Sequence, residues 1–509
     1  MPERGQNIVT TLLAQGADGD LAIIHGDDAI DYQELRKRVN KYAGVLIARG
    51  HNKGDRIGIM ADNSIYSVVA YLAIMRGGFV AVPLQTNIPD SSLKAIIDTT
   101  SMQSIFVQRK YCERVYAWAE NDSLTVFSDS QAEGHFQNSN VKPIQDLVSE
   151  GTTETAYDTV DPKTDLAALV FTSGSTGLPK GVMVSHRNIE CNTDDIVAYI
   201  GLRSNDRAMI ILPLYYCFAT SLLHSHLMVG ASVVINNDFI FPERVLDDLD
   251  AKQCTGIAGV PSTFQILLRK THFKQRRFPS LQWIQQAGGK LSNPFIREIR
   301  ETFPLVRFFL MYGQTEATAR LSYLPPELLD QKLGSIGKGL LNTKLEVIKH
   351  DGSVVIPGSD EIGEIVAEGE NITLGYWNDP GETARFFSGN RLRTGDMARV
   401  DKDGYIYIVD RARDFIKSMG NRVSSKEVEE VIAEMPEVVE VAVIGVPDDI
   451  QGEAIKAFVV PRSIGVISNQ GIKDYCIKRL PTFKIPRRIE ICEALPKTES
   501  GKIAKSQLN

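Results

Sequence analysis

The segment Thr172-Ser173-Gly174-Ser175-Thr176-Gly177-Leu178-Pro179-Lys180-Gly181 gathers hydroxyl side chains, glycines and a lysine into one short loop. Glycine lets backbone N–H groups come close to an anion, hydroxyls add donors, and lysine adds a positive charge, so the composition suits phosphate. The loop follows Leu166 to Phe171 (LAALVF), an apolar run that reads as a buried strand. Pro179 stands before Lys180 where a Walker A loop requires glycine, which disfavours a P-loop kinase or NTPase. By composition alone, a solvated Ser/Gly turn between two strands remains the alternative reading.

Other candidate residues sit in short, recognisable contexts. Glu316 follows Tyr312-Gly313-Gln314-Thr315, Asp396 closes Arg393-Thr394-Gly395-Asp396, Asp410 to Gly420 reads DRARDFIKSMG, and Lys502 ends Leu495 to Lys502 (LPKTESGK). With Val182-Met183-Val184-Ser185-His186 after the loop, these segments, in this order, closely resemble the motifs of adenylate-forming enzymes. That superfamily holds acyl- and aryl-CoA ligases, peptide-synthetase adenylation domains and beetle luciferases, and the style here is closest to the AMP-forming acyl-CoA ligases. Weaker echoes begin near Asp31 to Leu35, so the resemblance covers nearly the whole chain.

The resemblance implies ATP-dependent activation of a carboxylic acid to an acyl-adenylate, with release of pyrophosphate, followed by transfer to a thiol. One anion must attack another, so catalysis is mostly charge neutralisation and positioning. By the same match Thr172, Ser173, Gly174, Ser175, Thr176, Gly177 and Lys180 would clamp the β- and γ-phosphates. Glu316, beside Thr315, would bind Mg²⁺, which uses one or two carboxylates together with phosphate oxygens. Asp396 would accept both ribose hydroxyls, as an ionised carboxylate can, and Arg411 would be a further ribose or phosphate contact. Gly288 and Gly289, in Ala287-Gly288-Gly289-Lys290, would let adenine lie close, and Tyr312, next to Gly313, would stack on it. Lys502 would bridge carboxylate and phosphate oxygens during adenylation, a role that suits a lysine point charge. Gly420 would border the pantetheine arm after a rotation about a hinge at 410–413, where Arg413 stands.

The acid pocket is expected from Tyr216, Phe218, Ala219 and Ser221, with Val260, Gly288 and Met311 nearby. Amino-acid-activating relatives usually carry an aspartate near Ala219, and a buried ammonium without such a partner is costly. An uncharged acyl or aryl tail is therefore expected. Tyr215-Tyr216 departs from the Phe-His of many acyl-CoA ligases, which leaves the pocket shape open. The acceptor is coenzyme A, or the phosphopantetheine of an acyl or peptidyl carrier protein. Lys478, Arg479, Lys484, Arg487 and Arg488 could meet either one, or be solvated charge. A non-catalytic adenylate-binding relative would be expected to lose Lys502, Glu316 or Asp396, and all are present. No residue singles out a luciferase-like oxidase.

These residues need an α/β frame to hold them. The first half alternates helical and strand patterns, as parallel α/β layering does: Asp31 to Arg49 and Ser64 to Met75 read as helices, Phe79 to Val82 as a strand. Ser128 to Lys163 reads as an irregular polar connection. Ala208 to Asn237 carries no charge, yet Pro213, His224, His226 and Gly230 favour a buried core over a membrane span, with strands at Ala208 to Leu214 and Ala231 to Ile235 and a helix at Ser221 to Val229. After Lys332 the pattern turns strand-rich, with Leu345 to Ile348 and Gly363 to Val366 as strands and turns at Asp351-Gly352 and Asp403-Gly404. Ser425 to Glu434 reads as a helix with a serine cap, and Val438 to Val446 as a strand.

At 509 residues the chain should form more than one domain. The expected plan is a layered α/β N-terminal domain over 1–409 with a β-rich subdomain, the 410–413 hinge, and a small α+β lid over 414–509. A net charge of −7 argues against nucleic-acid binding. Arg269 to Arg277 (RKTHFKQRR) reads as a solvated loop. Six cysteines without metal-like spacing, and an N-terminus without an apolar signal core, suit a reducing cytoplasm.

Overall fold

A computed structural model describes residues 7–115, 124–130, 141–149, 159–172, 179–411, 415–418, 421–448, 452–463, 465–498 and 501–508. The chain divides into two compact units, each assembled from separate stretches: Met1–Asn237 with Gln314–Arg320 and Glu368–Leu392, and Asp238–Gly313 with Leu321–Ala367 and Arg393–Asn509.

In the first unit the strands are β1 (Leu21–His25), β2 (Asp28–Asp31), β3 (Arg56–Met60), β4 (Val80–Pro83), β5 (Ser104–Val107), β6 (Thr125–Ser128), β7 (Val141–Pro143), β8 (Leu166–Thr172), β9 (Lys180–Ser185), β10 (Arg207–Ile210) and β11 (Ser232–Ile235). A seven-stranded sheet runs β7-β6-β5-β3-β4-β8-β9. It is parallel except at its last pair, where β8 and β9 are antiparallel. The order β10-β11-β1-β2 forms a second set. The helices stand where their caps dictate. Asp31 accepts the Glu34 N–H ahead of the helix Tyr32–Ala48, and Ser64 and Ser67 form a capping box for Ile65–Arg76. That second helix is buried nearly all round, and its Tyr66 ring packs with Tyr42 and Phe106, which in turn meets Phe127.

Two segments differ from the expectation. Within the polar stretch 128–163, Val141–Pro143 joins the sheet as its edge strand and Ile144–Ser149 is a short helix; Val141 and Ile144, among the few apolar residues there, are both buried. The strand expected to reach Leu214 ends at Ile210. Asn63 explains this: its amide donates to the Leu212 carbonyl and accepts from the Leu214 N–H, replacing ladder bonds around Pro213. The following helix is Cys217–Met228, one turn longer than expected.

In the second unit β12 (Gly256–Gly259), β13 (Trp283–Gln286), β14 (Arg307–Tyr312), β15 (Ser322–Leu324) and β16 (Lys338–Gly339) lie in the order β16-β15-β14-β13-β12. β12, β13 and β14 are parallel, and the last two pairings are antiparallel. β17 (Thr343–Ile348), β18 (Gly363–Gly369), Arg391–Val400 and Ile406–Arg411 run side by side, and the last two form a hairpin over the Asp403-Gly404 turn. A separate small sheet is dominated by the hairpin of Val438–Asp448 and Gly452–Pro461, flanked by the helices Ser425–Ala433 and Asn469–Ile477. Its core includes Val439, Ala442, Phe458, Val460 and Leu495. The expected serine cap works differently: Ser424 caps nothing, and the buried carboxylate of Asp410 accepts from the Ser425 N–H at 3.0 Å and from both serine hydroxyls.

Candidate active site

The first unit carries the phosphate-loop candidates and Glu316. Thr172 and Lys180 face each other as register partners at the end of the β8–β9 hairpin, so the chain enters and leaves the loop at one place. Ser173, Gly174, Ser175, Thr176 and Gly177 lie outside the described residues. The stretch after Gly369 laces onto β9: Leu374 N–H donates to the Met183 carbonyl, Met183 N–H to Gly375, and Trp377 N–H to Gly181 at 2.7 Å. A Cβ at Gly181 would stand 3.1 Å from Phe171 and 3.3 Å from Trp377, so any larger residue would need these side chains to give by a few tenths of an ångström.

Lys180 Nζ donates to Glu382 Oε2 at 2.5 Å and lies 5.3 Å from the centre of the Tyr376 ring. The Tyr376 hydroxyl in turn donates to Glu316 Oε1 at 2.9 Å. Burial first, and Glu316 second, push the Tyr376 phenol well above its ordinary pKa, so it stays a donor. Glu316 sits in the turn Thr315–Ala317. The next residue, Thr318, has φ of 65°, an uncommon conformation for a residue with a β-branched side chain. Its hydroxyl is held by the Asn371 carbonyl at 2.8 Å. Thr315 is buried, with Cys217 Sγ 3.5 Å from its hydroxyl.

Four acid-pocket candidates belong to this unit as well. Tyr216 precedes the helix Cys217–Met228, and Phe218, Ala219 and Ser221 are buried on its first turns. The Ser221 hydroxyl donates to the Phe218 carbonyl at 2.6 Å, so its proton is committed within the helix. The guanidinium of Arg320, 1% exposed, lies 4.2 Å from the centre of the Phe218 ring. Two small cavities flank the helix. One touches Tyr71, Tyr215 and Thr220, the other Tyr71, Cys217, Ser221 and His224.

The second unit carries the remaining candidates. Gly288, at the end of β13, has φ of 86°, and a Cβ there would stand 2.9 Å from Val260 Cγ1 and 3.2 Å from Lys502 Cε. Gly289 follows it and lies against Pro261. Lys502 is brought to this turn by its neighbours: Ser262 Oγ donates to the Gly501 carbonyl at 2.5 Å, and Gly501 packs on Val260. Lys290 forms an ion pair with Glu430 on the helix Ser425–Ala433. Tyr312 and Met311 end β14 and are buried, with Gly313 next in the chain. The Tyr312 hydroxyl donates to Asp396 Oδ2 at 2.7 Å, and Asp396 stands opposite Arg411 in the antiparallel hairpin. The Arg411 side chain, Arg413 and Gly420 lie outside the described residues.

The comparisons with known proteins cover most of the chain. Residues 13–377 match the family model of the AMP-binding enzyme, and residues 427–502 match the AMP-binding enzyme C-terminal domain. The chain belongs to the AMP-binding enzyme family. A feruloyl-CoA synthase of Amycolatopsis sp is 30% identical over 487 residues, covering 96% of this chain and 95% of that protein. A long-chain-fatty-acid–CoA ligase of Escherichia coli O157:H7 is 31% identical over 547 residues, covering 100% and 95%. Among solved structures, the anthranilate CoA ligase AuaEII in complex with anthranoyl-AMP superposes with a TM-score of 0.91 at 25% identity, covering 99% of this chain and 97% of that one. This AMP-binding enzyme thus shares their mixed α/β architecture, a large N-terminal domain followed by a small C-terminal one.

Several residues of this AMP-binding enzyme escaped sequence reasoning. Tyr376 and Glu382 lie in Gly375-Tyr376-Trp377 and Gly381-Glu382-Thr383, neither of which has a composition that points to chemistry. Arg320 reads as an ordinary charge until its burial is known. Of the basic candidates, Arg479 pairs with Glu434 and Lys484 with Glu427. The 269–277 cluster is not the solvated loop expected: Arg269 and Lys270 close the helix Pro261–Lys270, the side chain of Arg269 is buried and shares Glu298 with Lys274, and Arg276 takes Asp247. All six cysteines are free thiols. No helix among the described residues is long and apolar enough to cross a membrane.

Proposed function

We propose that this enzyme is an AMP-forming acid–thiol ligase: it activates a carboxylic acid with ATP and passes the acyl group to coenzyme A. The observation that carries this reading most directly is Lys502, set against Gly288 and Val260 by the Ser262–Gly501 contact, in a chain whose relatives include a feruloyl-CoA synthase and a long-chain-fatty-acid–CoA ligase. In the first step a carboxylate oxygen bonds to the α-phosphorus of ATP as the bond to the β-phosphate oxygen breaks. Pyrophosphate leaves with those electrons. Lys502 offsets the charge that builds between the two anions, and Lys180 with Thr172 grips the departing phosphates. Asp396, oriented by Tyr312, accepts the ribose hydroxyls, and the Gly288-Gly289 turn leaves room for the base.

Among the described residues no cluster of three or more His, Cys, Asp or Glu could hold a metal. Mg²⁺ would be held by one carboxylate and phosphate oxygens, with Glu316 as the carboxylate and Tyr376 fixing one of its oxygens. The metal would supply charge neutralisation on the phosphates. In the second step the thiol sulfur bonds to the acyl carbon and AMP leaves. We place the working division at 1–409 and 414–509 with the hinge at 410–413, Gly420 then facing the pantetheine arm. The buried Phe218 and Ala219 on the first turns of the helix Cys217–Met228 favour an acid with an uncharged acyl or aryl tail. Pyrophosphate release across fatty, aryl and amino acids, with and without coenzyme A, tests the proposal. Turnover that needs both an uncharged acid and coenzyme A supports it. Exchange indifferent to coenzyme A would point to carrier-protein loading.

A further inference from the structure

Lys180 has a fixed backbone and a committed side chain. Its Cα is locked opposite Thr172 in the hairpin, and the Gly375–Trp377 stretch is laced to β9 by backbone hydrogen bonds. Glu382 is therefore held at a set place relative to Lys180. It lies in the first turn of the helix Pro380–Phe386, where Asp379 Oδ1 accepts its N–H at 3.0 Å. The pair is half-buried, at 16% side-chain exposure for Lys180 and 27% for Glu382. We propose that Glu382 competes with the outer phosphates of ATP for the Lys180 ammonium, and is a positioning residue that sets how tightly the triphosphate is held.

The inference rests on the reading of Lys180 as a phosphate contact given above. A carboxylate oxygen and a phosphate oxygen are equivalent anionic acceptors for an ammonium, so contact with one weakens the pull toward the other. The geometry provides for the exchange. Glu382 Oε1 accepts from Arg385 at 3.1 Å, so the carboxylate keeps a cationic partner when Lys180 turns away. Lys180 and then Arg385 hold the Glu382 carboxyl below its ordinary range, so it stays an anion in the neutral pH range. The Tyr376 ring beneath Lys180 carries the hydroxyl that fixes Glu316, so the exchange happens beside the metal candidate.

The experiment is equilibrium binding of MgATP and of AMP to the full chain and to E382Q, E382A, K180A and E382Q/K180A, each checked for an unchanged melting temperature. E382Q and E382A should each bind MgATP about fivefold more tightly, the upper end for one partly exposed ion pair, and leave AMP within about twofold. In the K180A background E382Q should no longer tighten MgATP. Unchanged or weaker MgATP binding in the well-folded E382Q and E382A proteins would overturn the inference, as would equal tightening for AMP. A K180A protein that binds MgATP as well as the parent would instead refute the phosphate role of Lys180 itself.

Discussion

Replacing Tyr312 by phenylalanine removes one atom, and the structure says what that atom does. Its hydroxyl donates to Asp396 Oδ2 at 2.7 Å, with the two residues 8% and 4% exposed. A hydrogen bond to an ionised group under such burial is worth about 1.5–3 kcal/mol. Part of that loss falls on nucleotide binding if Asp396 holds the ribose: an Asp396 free to reorient should weaken ATP by about tenfold, close to 1.4 kcal/mol. The assay is equilibrium binding of ATP and of 2′,3′-dideoxy-ATP to the parent, Y312F, D396N and the double variant. The tenfold loss should appear for ATP and largely vanish for the dideoxy analogue, which offers Asp396 no hydroxyls. The double variant should fall well short of the sum of the single losses. Losses that add to within about 0.5 kcal/mol, the behaviour of independent sites, would refute the coupling. An equal loss for both nucleotides would refute the ribose role.

Other outcomes follow from the same geometry. K502A should lose adenylation by a factor of a hundred or more, on the order expected for a lost charge-stabilising group, yet keep most thioester formation from a supplied acyl-adenylate; equal falls in both steps would remove Lys502 from its role. G288A places a Cβ 2.9 Å from Val260 Cγ1 at φ of 86°, a strain of about 1–2 kcal/mol from the backbone alone, and should lower the melting temperature and adenylation together. Burial lowers His186 to about 4, His224 to about 3 and His226 to about 4. The unfolded chain, with histidines near 6.5, binds these protons first as pH falls, so stability drops between pH 6.5 and about 4. Each histidine contributes up to about 1.4 kcal/mol per pH unit in that window. A melting temperature flat from pH 7 to 5 would contradict their neutral burial.

What the sequence disclosed was local. The Ser425–Ala433 helix is legible in consecutive residues, whereas composition alone left the Thr172–Gly181 loop open to a solvated turn, and the role of the Gly288-Gly289 turn came from the family resemblance. Long-range partners are not written that way. Glu382 meets Lys180 across 202 positions and Tyr312 meets Asp396 across 84, and no period or composition links them. Even a local cap misled: Ser424 sits at the N-cap, but Asp410 has displaced it by reaching in from an earlier strand. The compact units are likewise built from discontinuous stretches, which a pass along the chain cannot assemble.

The central claim is that carboxylate oxygen and α-phosphorus become bonded. An accepted acid labelled with ¹⁸O in its carboxylate, turned over with ATP and coenzyme A, tests this directly when the released AMP is weighed. One labelled oxygen per AMP phosphate is the predicted result. Unlabelled AMP, or ADP in its place, would contradict the acyl-adenylate and the roles assigned around it.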